Sequence, residues 1–253
     1  MTEPLLSVRA LARSFYGVKA LQGADFDVTR GSITALIGPN GAGKTTAFQC
    51  ISGVAAPESG TVAFAGADIT GWPADRVSRA GLVRTFQIAR GIPRLSVIEN
   101  LLLYAPDQPG ERLWAALAGL GRTAERRAKD RAIAILRRLD LLPLANESAG
   151  ALSGGQKKLL EIGRALMAEP RLVLLDEPIA GVNPALAERI GLHLESLRAE
   201  GITFLVIEHH MDMIARLCDP VIVMAEGRTL MVGSFAAIAA DGAVQAAYLG
   251  GRS

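Results

Sequence analysis

The sequence is poor in cysteine. Cys50 and Cys218 are its only two, each in apolar surroundings and neither in a CxxC. That argues against a disulfide framework or a thiolate metal site, predicts buried free thiols and fits a reducing cytoplasm. Long apolar runs are missing too: no stretch approaches ~18 uninterrupted apolar residues, so nothing here is expected to span a bilayer. Any membrane role would come through a partner. Glu3, Pro4 and Arg9 interrupt the N-terminal stretch too early for a secretory signal, and none is expected. Neither charge dominates: Lys+Arg 27 against Asp+Glu 25 gives a formal net charge of +2, which argues against a dedicated nucleic-acid binder. There is no internal repeat and no low-complexity tail.

What is present is globular. Half of the 253 residues are hydrophobic and about a fifth are charged, enough for a sizeable core in one large domain or a core with a subdomain. Leu5–Ala12 and Ala24–Val28 read as short strands, and Thr61–Phe64 as part of an antiparallel region near the N-terminus. Ile33–Ile37, Leu172–Leu175, Phe204–Ile207 and Val221–Met224 read as buried strands. Helical patterns lie between these strands, notably Pro184–Ala199, an alternation that predicts a largely parallel sheet covered on both faces. From Val97 through Leu142 the pattern is mostly helical, with an apolar stripe of Ala128, Ala132, Ile135 and Leu139. It reads as a helical subdomain inserted into an α/β core.

Three phrases carry chemistry. Gly38-Pro39-Asn40-Gly41-Ala42-Gly43-Lys44-Thr45-Thr46 follows the strand Ile33–Ile37 and precedes a helix over Ala47–Ser52. In that context glycines let backbone N–H groups converge on phosphate, Lys44 reaches the β- and γ-phosphates, and Thr45 offers a hydroxyl to Mg²⁺. The second phrase is Asp176-Glu177, delivered by a buried strand to the sheet's C-terminal edge, where ligands bind in such folds. Alone it would be an ordinary acidic turn. Beside a phosphate loop, Asp176 suits Mg²⁺ and Glu177 suits the attacking water. The third is Leu152-Ser153-Gly154-Gly155-Gln156 at the head of a helix over Lys157–Met167. Ser153 and the glycine amides can bind phosphate there, and Ser153 with Gln156 also spells a capping box.

Together these residues resemble the ATP-binding subunit of an ABC transporter over essentially the whole chain. The phosphate loop matches Walker A, Asp176 and Glu177 end Walker B, and Leu152–Gln156 matches the signature. Thr85-Phe86-Gln87 matches the Q-loop, and His209 after Ile207-Glu208 the switch histidine. The resemblance implies an α/β fold over residues 1–253: a P-loop NTPase core with a mostly parallel sheet (about 1–86 and 165–253), an N-terminal antiparallel β region and an inserted helical subdomain (about 87–164). It also implies two such subunits, head to tail, sandwiching two Mg²⁺·ATP. Nucleotide contacts fall to Phe15, Gly38, Asn40, Gly41, Ala42, Gly43, Lys44, Thr45 and Thr46, and across the dimer to Ser153, Gly154, Gly155 and Gln156. Metal contacts fall to Thr45, Gln87 and Asp176, and catalysis to Glu177, His209 and Gln87. Whether Phe15 or its neighbour Tyr16 stacks on adenine stays open.

Within that family the chain is similar to ATPases of branched-chain amino acid importers. The resemblance lies in Val83–Gln87 with Leu95–Leu101, the insertion between Pro106 and Arg131, Glu177–Pro184, and Ala247–Gly250. Gly154 stands where that group often has a bulkier residue, and His210 where Asp is common. The implied partners are a second ATPase subunit, identical or sister, transmembrane permeases and, indirectly, a periplasmic binding protein, at the cytoplasmic face of the inner membrane and without nucleic acid. Related systems move urea, aromatic acids or lipid, and a soluble relative would act on nucleic acid or ribosomes. The basic cluster Arg122, Arg126, Arg127, Lys129 and Arg131 reads as a solvated helix face, or as a contact with headgroups or a partner. It lacks the interleaved aromatics of a base-stacking surface.

Overall fold

The computed structural model describes residues 3–85, 92–106 and 121–250. Phe86 and Gln87, and the part of the helical insertion at 107–120, lie outside these residues. Among the described residues the strands form two sheets, and no helix is long and apolar enough to cross a membrane.

Ile33-Thr34-Ala35-Leu36-Ile37 has no solvent-facing alternation, so as a strand it needs cover on both faces. It forms β3 (Ile33–Ile37) with all five residues buried. The same holds for β7 (Leu172–Asp176) and β8 (Thr203–Ile207). With β6 (Leu82–Arg84), β9 (Val221–Ala225) and β10 (Arg228–Gly233) they make a sheet in the order β10-β9-β3-β8-β7-β6. Every pairing is parallel except β9–β10. The C-terminal ends of β3, β8 and β7 therefore lie side by side along one edge.

The second sheet is antiparallel, in the order β2-β1-β4-β5, from β1 (Pro4–Phe15), β2 (Val18–Thr29), β4 (Ser59–Phe64) and β5 (Ala67–Asp68). Strands β1 and β2 run well past Leu5–Ala12 and Ala24–Val28. They meet at Tyr16-Gly17, where both residues have positive φ (48° and 85°), the conformation that lets a two-residue turn follow the twist of its strands. Between the sheets pack Leu6, Val8, Phe26, Phe48, Phe64 and Leu205, among others.

Among the described residues the α-helices are α1 (Lys44–Ile51), α2 (Ala74–Arg79), α3 (Val97–Leu102), α4 (Gly121–Arg138), α5 (Gly154–Met167), α6 (Pro184–Ala199), α7 (Met211–Leu217), α8 (Phe235–Ala240) and α9 (Gly242–Gly250). The chain divides into two compact units. One runs to Arg84 and adds Arg171–Pro178 and the residues from Leu194 on; the other is Thr85–Pro170 with Ile179–His193. The first holds both sheets.

In the second unit Ala132 and Ile135 of α4 are buried and Ala128 is half-buried, the spacing of one helix face, and Leu139, just past its end, is buried too. Arg131 departs from the solvated basic face. It donates to the Leu166 carbonyl and pairs with Glu169, and burial lowers its pKa against the pull of that carboxylate. Asn100, on α3, is fully buried. Its amide donates to the carbonyls of Ile92, Leu95 and Ser96, and its oxygen accepts from Ile92 N and from Arg164 of α5. One side chain thus pins the loop before α3 to the helix that follows Ser153.

Candidate functional site

The loop after β3 is held by close approach. A Cβ on Gly38 would sit 2.1 Å from the Met224 carbonyl oxygen, and one on Gly43 2.5 Å from that of Ala20. With φ of 149° and 95° at these positions, no side chain fits at either. The outer wall is braced from β2 and from the turn between β9 and β10. Gly227 N donates to Ala42 O (3.1 Å), Gln22 N to Gly227 O (2.8 Å) and Gln22 Nε2 to Glu226 O (2.9 Å).

Inside the loop Lys44 is buried, its ammonium donating to the carbonyls of Gly38 (2.7 Å) and Pro39 (2.9 Å). Burial pushes its pKa below the ordinary lysine value, while the carboxylates of Glu177 and Asp176 pull it back up. Ala42 is buried, Thr46 half-buried, and Asn40, Gly41 and Thr45 are exposed.

Strand β7 delivers Asp176, buried, and then Glu177, whose φ of 49° puts a non-glycine residue in the left-handed region. Glu177 N donates to Ile207 O at the end of β8 (3.0 Å). Two residues beyond that carbonyl, His209 brings Nε2 to 3.3 Å from Glu177 Oε1, and both side chains stay partly open to solvent. The buried Glu208 between them accepts from His209 N. The neighbouring His210 is exposed at the N-cap of α7. Lys44, Asp176, Glu177 and His209 thus come from three strand ends along one sheet edge.

Arg84, at the end of β6, carried no role in the sequence reading. Its guanidinium donates to Asp176 Oδ2 at 3.1 Å, and the two side chains are 10% and 2% exposed.

The donors suit a magnesium polyphosphate. The loop admits only hydrogen at two walls, turns an ammonium inward and ends at a helix N-terminus. Thr45 and Asp176 offer the hard oxygens Mg²⁺ prefers. Among the described residues no group of three or more His, Cys, Asp or Glu side chains could hold a metal ion.

In the second unit Ser153 caps α5. Its hydroxyl accepts from Gln156 N (3.3 Å) while Gln156 Oε1 accepts from Ser153 N (2.8 Å), a closed capping box. A Cβ on Gly155 would lie 1.6 Å from Leu186 Cδ2 of α6, whereas one on Gly154 would meet nothing. Leu186 is itself fixed, its N–H donating to Asn183 Oδ1 (2.9 Å).

Of the two aromatic candidates, Tyr16 is fully exposed at the hairpin tip, and Phe15 is half-buried with the Arg13 guanidinium 5.0 Å from its ring centre. His193 sits in the second unit, 3.5 Å from Asp140, with burial lowering its pKa. The cysteines are buried free thiols, Cys50 pushed up to about 11 and Cys218 to about 12 by desolvation, which leaves them protonated at neutral pH.

Comparison with known proteins adds to this geometry. Residues 21–180 match the ABC transporter family. An Archaeoglobus fulgidus protein named "Probable branched-chain amino acid transport ATP-binding protein" is 40% identical over 98% of this chain and 96% of its own. A Pseudomonas aeruginosa high-affinity branched-chain amino acid transport ATP-binding protein is 37% identical over 99% of both. The crystal structure of a nucleotide-free ATP-binding cassette from an ABC transporter superposes with a TM-score of 0.86 at 37% identity, covering 97% of this chain and 99% of that one.

Proposed function

The chain belongs to the ABC transporter family of ATP-binding subunits, and on that premise we propose that it is the ATPase of an importer for branched-chain or related amino acids. The cargo rests on the names of relatives that align over nearly their whole lengths. The chemistry rests on one observation above the others: β3, β7 and β8 end side by side and present Lys44, Asp176, Glu177 and His209 along one edge.

In the proposed mechanism the phosphates of ATP enter the loop Gly38–Thr46, and Lys44 gives up the Gly38 and Pro39 carbonyls for β- and γ-phosphate oxygens. Phe15, half-buried at the end of β1, stacks on adenine in this reading, and Tyr16, fully exposed at the hairpin tip, is the other candidate. Thr45 and Asp176, with Gln87, would hold Mg²⁺, which would neutralise phosphate charge. Glu177 accepts a hydrogen bond from the attacking water and aims it at the γ-phosphorus. As the water oxygen bonds to phosphorus, the bond to the β,γ-bridging oxygen breaks, ADP leaves with that bond's electron pair, and the water's protons go with the inorganic phosphate. His209 steadies the Glu177 carboxylate and faces the γ-phosphate. No covalent intermediate is needed.

Ser153, Gly154, Gly155 and Gln156 bind the γ-phosphate of a second subunit's nucleotide, so that ATP draws the two subunits together and hydrolysis releases them. That partner, identical or sister, works beside transmembrane permeases supplied by a binding protein. The subunit acts at the cytoplasmic face of the inner membrane.

Glu177→Gln tests the reading. It is expected to bind ATP normally, lose turnover by a factor of about 100 or more, and accumulate as a closed dimer in sizing chromatography with Mg²⁺·ATP. Hydrolysis near the wild-type rate would remove Glu177 from the mechanism.

A further inference from the structure

Asp176 is almost fully buried at the end of β7, and a lone buried carboxylate is costly. Its ion-pair partner is Arg84, on the neighbouring parallel strand. Arg84 pairs in register with Leu174, two residues short of Asp176, so its side chain has to run forward along β7 to reach the carboxylate. The guanidinium is itself buried, and its Nε has no hydrogen-bond partner. It lies 5.8 Å from the ring centre of Phe48 on α1, the helix that starts at Lys44. The arrangement is not a well-satisfied structural ion pair. One guanidinium nitrogen meets one carboxylate oxygen while Nε stays unpaired, although the fork of an arginine can meet a carboxylate with two bonds.

We propose that Arg84 is a positioning residue and an internal counter-charge for Asp176, filling electrostatically the part taken by the divalent cation once Mg²⁺·nucleotide binds. Two consequences follow from the charges alone. Before metal binds, Arg84 is the direct counter-charge of the buried Asp176 carboxylate, with the Lys44 ammonium adding to it. When metal binds, Arg84 is a competing cation already on the Asp176 carboxylate, so it weakens the site's hold on Mg²⁺. An Arg84-less protein should therefore be less stable without metal and bind metal more tightly. A residue that merely filled space on β6 would give the first effect without the second. This inference rests on the proposed role of Asp176 at the metal. That role is tested separately by Asp176→Asn in an otherwise unchanged chain, which should lose the Mg²⁺ dependence of nucleotide binding.

The test compares wild type with Arg84→Met, which keeps volume and apolar contact and removes the charge. Thermal unfolding is measured with EDTA and with Mg²⁺·ADP, and Mg²⁺ is titrated against binding of a fluorescent ADP analogue, with no turnover needed. In EDTA, Arg84→Met should unfold about 6–20 °C lower, the range expected for stranding a buried charge in a chain of this size. Mg²⁺·ADP should recover most of that difference, and the Mg²⁺ concentration for half-maximal binding should fall several-fold. Adding Asp176→Asn to Arg84→Met should restore stability in EDTA. An equal loss of stability with and without Mg²⁺·ADP, or an unchanged Mg²⁺ titration, overturns the proposal. If Arg84→Met does not fold, Arg84→Gln carries the same comparison under the same criteria.

Discussion

Gly154 and Gly155 are adjacent, yet one faces open space and the other faces the tip of Leu186. Gly155→Ala should therefore cost about 1–3 kcal/mol of stability through overpacking, and Leu186→Ala in the same chain should return part of it. Gly154→Ala should be neutral or slightly stabilising. Urea unfolding of the three variants checks this, and equal effects at 154 and 155 would contradict the observed packing. The contrast means that position 154 has room for a side chain while position 155 does not. Glu177 makes a related point about a single residue. Its left-handed backbone is an uncommon conformation for a side chain of that size, held by the bond from its own N–H to Ile207 O. Lys44, Thr45, Asp176, Glu177 and His209 are legible from sequence because each stands at a fixed offset in a local phrase. Arg84 is not, because its part is set by a contact with Asp176, 92 positions away.

Among the elements, β3, β7 and β8 declare themselves by mostly apolar runs without polar alternation, and burial on both faces is the reason. Strand β10 hides because Arg228, Leu230 and Val232 are exposed at an edge, where alternation is diluted by polar and apolar side chains alike. Strand β6 spans only three residues, and α2 and α8 six each, too short for periodicity to register. Helices α3 and α5 show how elements are joined by a polar group, for Asn100 serves three carbonyls and the buried Arg164 at once. Asn100→Ala strands both the loop carbonyls and the guanidinium, so a loss of about 2–4 kcal/mol is expected. Faster amide exchange at Leu95–Ser96 should accompany it. A loss below 1 kcal/mol, with unaltered exchange, would show that the loop is held by other contacts.

For the whole molecule, the phosphate loop and the Ser153 turn belong to different units of one chain, and the proposed site takes one from each of two subunits. Ser153→Arg should then spare nucleotide binding and abolish hydrolysis, as Lys44→Ala should by the opposite route. Mixing the two inactive proteins should restore a measurable fraction of hydrolysis, since half of every mixed dimer keeps an intact loop facing an intact turn. No recovery on mixing would overturn a site shared between two copies of this chain. The overall division of the chain was legible only in outline. Ile179–His193 joins the second unit, and Leu186 packing on Gly155 is a physical reason that no local pattern reveals. The brace formed by Gly227 carries a lesson of the same kind. Its Cβ would meet the Ala20 carbonyl oxygen at 2.8 Å, and its amide holds Ala42, yet it lies in a β-turn remote from every recognisable phrase. Mutational drift at that turn is therefore not free. A lineage that lost Gly227 would lose the shape of its phosphate loop while every letter of the loop itself remained intact.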